Sequence, residues 1–169
     1  MVRIVQKKEI VKNVVFFLLK FNLLLIPFYL IIYFDLSVHP LQITFANFIA
    51  TILRFFNYQV KTNEFYLFIG KDEYPIEISM DCLGWKGVYS LFALVFATSG
   101  KTRDKLKFLA VWMPVIFVIN ILRVLFTLIF GLNFGMQYIE FIHAFLWQEV
   151  MIAALIVIFY IWLKKGKIK

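Results

Sequence analysis

The stretch "LKFLAVWMPVIFVINILRVLFTLIF", residues 106–130, decides the fold. Its only charges are Lys107 at one end and Arg123 toward the other. A helix needs about 20 predominantly apolar residues to cross a bilayer, and this run supplies them. Residues 14–34, 82–99 and 144–163 have the same character and a similar length. The composition agrees: 63% of residues are hydrophobic and 20% aromatic, with a mean hydropathy of +0.85, far from the soluble average. The expected fold is an all-α polytopic membrane protein of about four transmembrane helices, with residues 1–169 forming one membrane domain and 35–81 its outer segment. The first apolar run is too long for a secretory signal, and no small-x-small cleavage site follows in "YFDLSVHP" at 33–40. Lys20 lies near the start of that run, where a long side chain snorkels back to the interface.

A net charge of +8 invites a nucleic-acid reading, but the positions of the charges speak against it. Arg3, Lys7, Lys8 and Lys12 precede the first span; Lys101, Arg103, Lys105 and Lys107 separate the second from the third; Lys164, Lys165, Lys167 and Lys169 follow the fourth. The positive-inside rule therefore puts both termini and the loop "GKTRDKLKF" (100–108) in the cytoplasm of a multi-pass plasma-membrane protein. Segments 35–81 and 131–143 then face outward. A single cysteine, Cys82, allows no intramolecular disulfide.

In the outer segment, "TFANFIATILRFFN" (44–57) places Phe45, Phe48, Ile49, Ile52, Leu53 and Phe56 on one helix face and Thr44, Asn47, Thr51 and Arg54 on the other. That reads as an amphipathic helix lying in the outer interface; as a fifth span it would have to hide Arg54. "EFYLFIG" (64–70) and "YPIEIS" (74–79), separated by "KDE", read as a small extracytoplasmic β-hairpin that leads the chain to Cys82.

Counting about 1.5 Å of helix rise per residue, Cys82 stands roughly 28 Å from Lys101, Arg123 about 24 Å from Lys107 and His143 about 30 Å from Lys164. Three helices thus carry a Cys, an Arg and a His to one level near the outer surface. A thiolate is a nucleophile, an imidazole takes and returns its proton, and a guanidinium stabilises a thiolate or an oxyanion; the set suits acyl transfer. Each residue also has a plainer role. Cys82 alone reads as a small buried hydrophobe, His143 as an interfacial residue, and Arg123 as a partner for Glu140 or Glu149. Asn120, one turn deeper on the Arg123 face, is placed to orient it. Asp81 reads as a helix cap, and Glu140 as a solvated carboxylate within reach of the His143 ring. His39 is the competing base. Gly84, Gly87 and Ser90, at steps of three, let another helix approach closely beside Cys82.

"DCLGWKG" (81–87), "NILRV" (120–124) and the histidine opening "HAFLW" (143–147) resemble, in order and membrane placement, the Cys, Arg and His signatures of the exosortase/archaeosortase family. The resemblance spans roughly residues 44–163. It implies a membrane cysteine transpeptidase, similar in logic to the soluble sortases, with Cys82 as nucleophile, His143 as general acid/base and Arg123 as electrostatic stabiliser; Asn120, Asp81 and Glu140 would support them. The implied partners are the C-terminal tail of a secreted protein (a short motif, a transmembrane helix and a basic cluster) and a lipid or surface acceptor for the new C-terminus. Leu83 departs from the small Ser or Thr that often follows the family cysteine. No cofactor or metal is expected, since phosphate loops and ligand-type Cys/His spacings are lacking. Two alternatives remain at this stage: a plain protease with water as acceptor, and a non-enzymatic membrane assembly or export factor whose Arg, His and acidic residues form a structural polar network. A transporter fits poorly, because no repeat of broken helices is visible.

Overall fold

The structure, a computed structural model, describes residues 2–70 and 73–167; the side chains of 2–8, 10, 140, 144–148 and 166–167 lie outside the description. Among the described residues, five helices and three strands follow one another as α1 (Val2–Tyr33), α2 (His39–Phe55), β1 (Val60–Asn63), β2 (Tyr66–Ile69), β3 (Tyr74–Glu77), α3 (Trp85–Ala97), α4 (Thr102–Phe134) and α5 (Ile139–Lys167). Single 3-10 turns occupy Met80–Leu83 and Met136–Tyr138.

Among the described residues, Val11–Tyr33 and Thr102–Phe134 are long and apolar enough to cross a membrane. α3 is not: its 13 residues rise only about 20 Å. The expected run of 82–99 is broken at Gly84, whose φ of +75° is a left-handed conformation that ends one helical turn before α3 begins. Cys82 therefore sits in a tight turn ahead of α3 instead of on its first turn.

Apolar side chains assemble into two clusters, and α4 runs through both. Its N-terminal half, with Phe108, Leu109 and Ile116, meets Leu91 and Val95 of α3 and Met151, Ile158 and Trp162 of α5. Its C-terminal half, with Val124 and Leu128, meets Ile49 and Leu53 of α2, Leu67 and Ile69 of β2, Ile78 and Cys82. Full burial of a side chain of this size contributes about 1.5–3 kcal/mol, so the outer segment is held to the bundle by its own core. Lys105, read from sequence as one charge of the basic loop, is buried. Its Nζ donates to the Thr98 and Phe96 carbonyls at 2.6 and 3.1 Å, satisfying the free carbonyls at the end of α3.

α2 is amphipathic, but its sides are not shared out as the sequence pattern implied. Gln42, Phe45, Ala46, Ile49, Ala50 and Leu53 are buried against the sheet and α4, because two alanines let the helix come close. Leu41, Phe48, Phe55 and Phe56, part of the same apolar arc or its edge, are exposed. The expected hairpin is present as β2–β3, with Leu67 opposite Ile76. β1 extends it to a three-stranded antiparallel sheet in the order β1-β2-β3. The polar run "VKTN" carries no alternation strong enough to announce that strand.

Candidate active site

The turn that carries Cys82 is held from both sides. The amide Nδ2 of Asn120 donates to the Cys82 carbonyl at 2.7 Å, and Nε2 of Gln42 donates to the Ile78 carbonyl at 3.1 Å. Both amides are buried, so each bond replaces hydration that the carbonyl has lost. Gly84 is obligatory for this arrangement. A Cβ there would come within 2.6 Å of Asn120 Cγ, and the backbone already occupies a region that L-residues avoid. Gly87 also admits a neighbour, since its Cβ would meet Met151 and Ile116 at 2.7 and 3.2 Å. Asn120 thus secures the cysteine turn, a different task from orienting Arg123.

Around the sulfur, Ser79 Oγ stands 3.5 Å from Cys82 Sγ, and His143 Nε2 of α5 stands 4.0 Å away. Arg123, on α4, is buried, as is Cys82. The main effect on the thiol is desolvation, which pushes its pKa up; the Ser79 contact and the positive charge of Arg123 pull it back down. Burial thus disfavours the thiolate, beside an imidazole on α5. A cavity of about 140 Å³ opens on Ser79, Cys82 and His143, lined also by Ile76, Glu77 and Thr127 among others.

The other candidates fall out differently. Asp81 does not cap a helix: its carboxylate takes a salt bridge from Lys86 Nζ at 2.7 Å, across one turn of chain at the start of α3. His39 lies outside this cavity, stacked on Phe65 with 5.6 Å between ring centroids and 3.3 Å from Ser37 Oγ. Glu140 is on α5, with its side chain outside the described residues. Gln42 and Ser79 were not singled out from sequence. A glutamine at a buried position of an amphipathic helix is the one signal that marks the first; the second lies three residues before the cysteine with nothing to distinguish it. Among the described residues no group of three or more His, Cys, Asp and Glu side chains is placed to hold a metal ion.

Chemically, the arrangement pairs a buried thiol with an imidazole from α5, and buried Arg123 on α4 contributes a positive charge that favours the thiolate. The 4.0 Å separation is longer than the roughly 2.6–3.2 Å of a working proton-transfer contact, as is common before substrate binds. The sequence model of the transmembrane exosortase family (Exosortase_EpsH) matches residues 8–162. The comparisons with curated proteins and with solved structures find no match.

Proposed function

Since the chain belongs to the transmembrane exosortase family, and is thereby a membrane protein, we propose that it is a cysteine transpeptidase acting on the C-terminal sorting tail of secreted proteins at the outer face of the plasma membrane. The observation that carries this reading is the approach of Cys82 Sγ and His143 Nε2 to 4.0 Å from segments 61 residues apart; the positive charge of buried Arg123, which favours the thiolate, supports it. In the proposed topology α1, α3, α4 and α5 all cross or enter the bilayer, both termini are cytoplasmic, and the sheet and α2 lie outside. The basic clusters at 3–12, 101–107 and 164–169 support that orientation.

In the proposed reaction His143 Nε2 takes the thiol proton as Cys82 Sγ attacks the carbonyl carbon of the scissile peptide bond. Arg123 stabilises first the thiolate and then the developing oxyanion, in surroundings where charge interactions are stronger than in water. The tetrahedral state collapses with cleavage of the C–N bond, and His143 returns the proton to the departing amine, so that the tail leaves and a thioester on Cys82 remains. A nucleophilic amine or hydroxyl of a lipid or surface acceptor then attacks the thioester, giving its proton to His143 and restoring the thiol. Water in its place would make the enzyme a protease.

The test is C-terminal proteomics of surface proteins from native cells carrying the wild-type chain or Cys82→Ala at matched levels. The expected result is a set of proteins that keep their terminal helix and basic cluster only in the variant, and the mass of the wild-type C-terminus identifies the acceptor. Identical C-termini in both cells would remove the enzymatic reading and leave the assembly-factor alternative.

A further inference from the structure

β3 is one of the two edge strands of the sheet, β1 being the other, and the ladder fixes which of its backbone groups point away from β2. Ile78 N donates to the Phe65 carbonyl at 2.9 Å, one step beyond the facing pair Tyr66 and Glu77. That makes the pair the non-hydrogen-bonded kind, so by alternation Tyr74 and Ile76 turn their N–H and C=O groups toward β2. Pro75 and Glu77 turn theirs outward. The proline obeys the same logic, because its missing N–H falls on the outer side, where the ladder loses nothing. A second cavity of about 450 Å³ lies along this edge, between Tyr74–Glu77 and the turn at Met136, Gln137 and Ile139. Ile76, Glu77 and Ile139 line this cavity and the one containing Cys82 and His143. The groove beside the strand therefore leads to the sulfur.

We infer that the substrate segment just before the scissile bond binds as an added strand on the outer edge of β3, running parallel to it; this rests on the transpeptidase reading above. The direction follows from geometry. β3 runs toward Cys82, and the substrate must reach the sulfur with its motif behind it and its tail helix ahead, descending into the membrane. Parallel pairing puts the Glu77 N–H on one substrate carbonyl, while the Pro75 and Glu77 carbonyls accept substrate N–H groups on either side of it. Recognition by main-chain bonds admits varied side chains at those positions, and the cavities beside Ile76 select among them.

The test uses full chains in native cells, and its readout is the fraction of surface proteins with uncleaved tails, taking those retained by Cys82→Ala as the substrates. Glu77→Ala keeps the outward N–H and loses only the side chain, so its cleavage rate is the reference that isolates the backbone contribution. Glu77→Pro removes that N–H while sparing the β2 ladder, and is expected to cleave about tenfold or more slowly. Wild-type cleavage by Glu77→Pro, or equal losses in the two variants, overturns the inference and leaves the transpeptidase reading standing. If Cys82→Ala itself retains no tails, that reading falls and the added strand falls with it. Should Glu77→Pro fail to reach the membrane, the photoreactive residue p-benzoylphenylalanine in place of Tyr74, in a Cys82→Ala chain, decides the matter. Adducts on the residues preceding the tail helix of a retained substrate support the inference. Adducts only elsewhere in substrates, or only between two copies of this chain, overturn it.

Discussion

Replacing Gly84 by alanine tests whether the cysteine turn is held as described. The new Cβ meets Asn120 Cγ, Nδ2 and Cβ at 2.6, 2.7 and 2.9 Å, so the amide must move and the 2.7 Å bond to the Cys82 carbonyl is lost. A β-carbon at φ +75° costs about 1–2 kcal/mol, and a buried carbonyl left without a donor about 1–3 kcal/mol more. The expected destabilisation is therefore about 2–5 kcal/mol, or a fall in melting temperature on the order of 5–15 °C for a chain of this size. Asn120→Ala alone loses the bond but not the backbone freedom, and should cost about 1–3 kcal/mol. In the double variant the bond can be lost only once, so its cost should fall short of the sum of the singles by about 1 kcal/mol or more. The chain supplies its own assay: its single cysteine is buried, so a thiol-reactive dye reports the unfolding of purified protein in detergent. Additive costs, within about 0.5 kcal/mol, would refute the coupling of Gly84, Asn120 and the cysteine turn.

Other substitutions probe the chemistry. His143→Ala should slow tail cleavage in cells by about 10²–10⁴-fold at an unchanged melting temperature, and loss of folded protein instead would mark the histidine as structural. Arg123→Lys, which keeps a charge but not the planar fork, should restore only part of the activity lost in Arg123→Gln, measured by the same tail analysis. Because Ser79 and Arg123 lower a thiol pKa that burial raises, Ser79→Ala should move the pH profile of iodoacetamide reaction with Cys82 to higher pH; a shift to lower pH contradicts the assigned contact. Lys86→Ala removes a partly exposed pair with Asp81 and should change stability by no more than about 1 kcal/mol while preserving cleavage. A loss like that of Cys82→Ala would give the pair a part in the reaction.

Much of the architecture was legible because a single rule governs it. Three of the four apolar runs became parts of the long helices α1, α4 and α5, while 82–99 yields only the 13-residue α3, and the alternation around Glu77 became the β2–β3 hairpin. Counting helical rise put Cys82 and His143 at one level, and the sulfur and Nε2 stand 4.0 Å apart. β1 was not legible, since "VKTN" becomes a strand only by pairing with Tyr66–Ile69. Asp81 looked like a cap because the position before a helix favours one, yet Lys86 five residues on competes for its carboxylate. Phe48 was grouped with Phe45 by periodicity, but the close approach of Ala46 and Ala50 sets which part of the arc is buried.

The sequence by itself determined the kind of protein and most of its helices, and offered the candidate residues of the site, because hydrophobic length, charge bias and helical rise are properties of a chain read along its own axis. Only the tertiary structure decided how those residues meet. Gln42 holding Ile78, Asn120 holding Cys82 through the space left by Gly84, and the outward-facing edge of β3 all depend on which surfaces are brought together. Such contacts join residues 36 and 38 positions apart, and no local period encodes them.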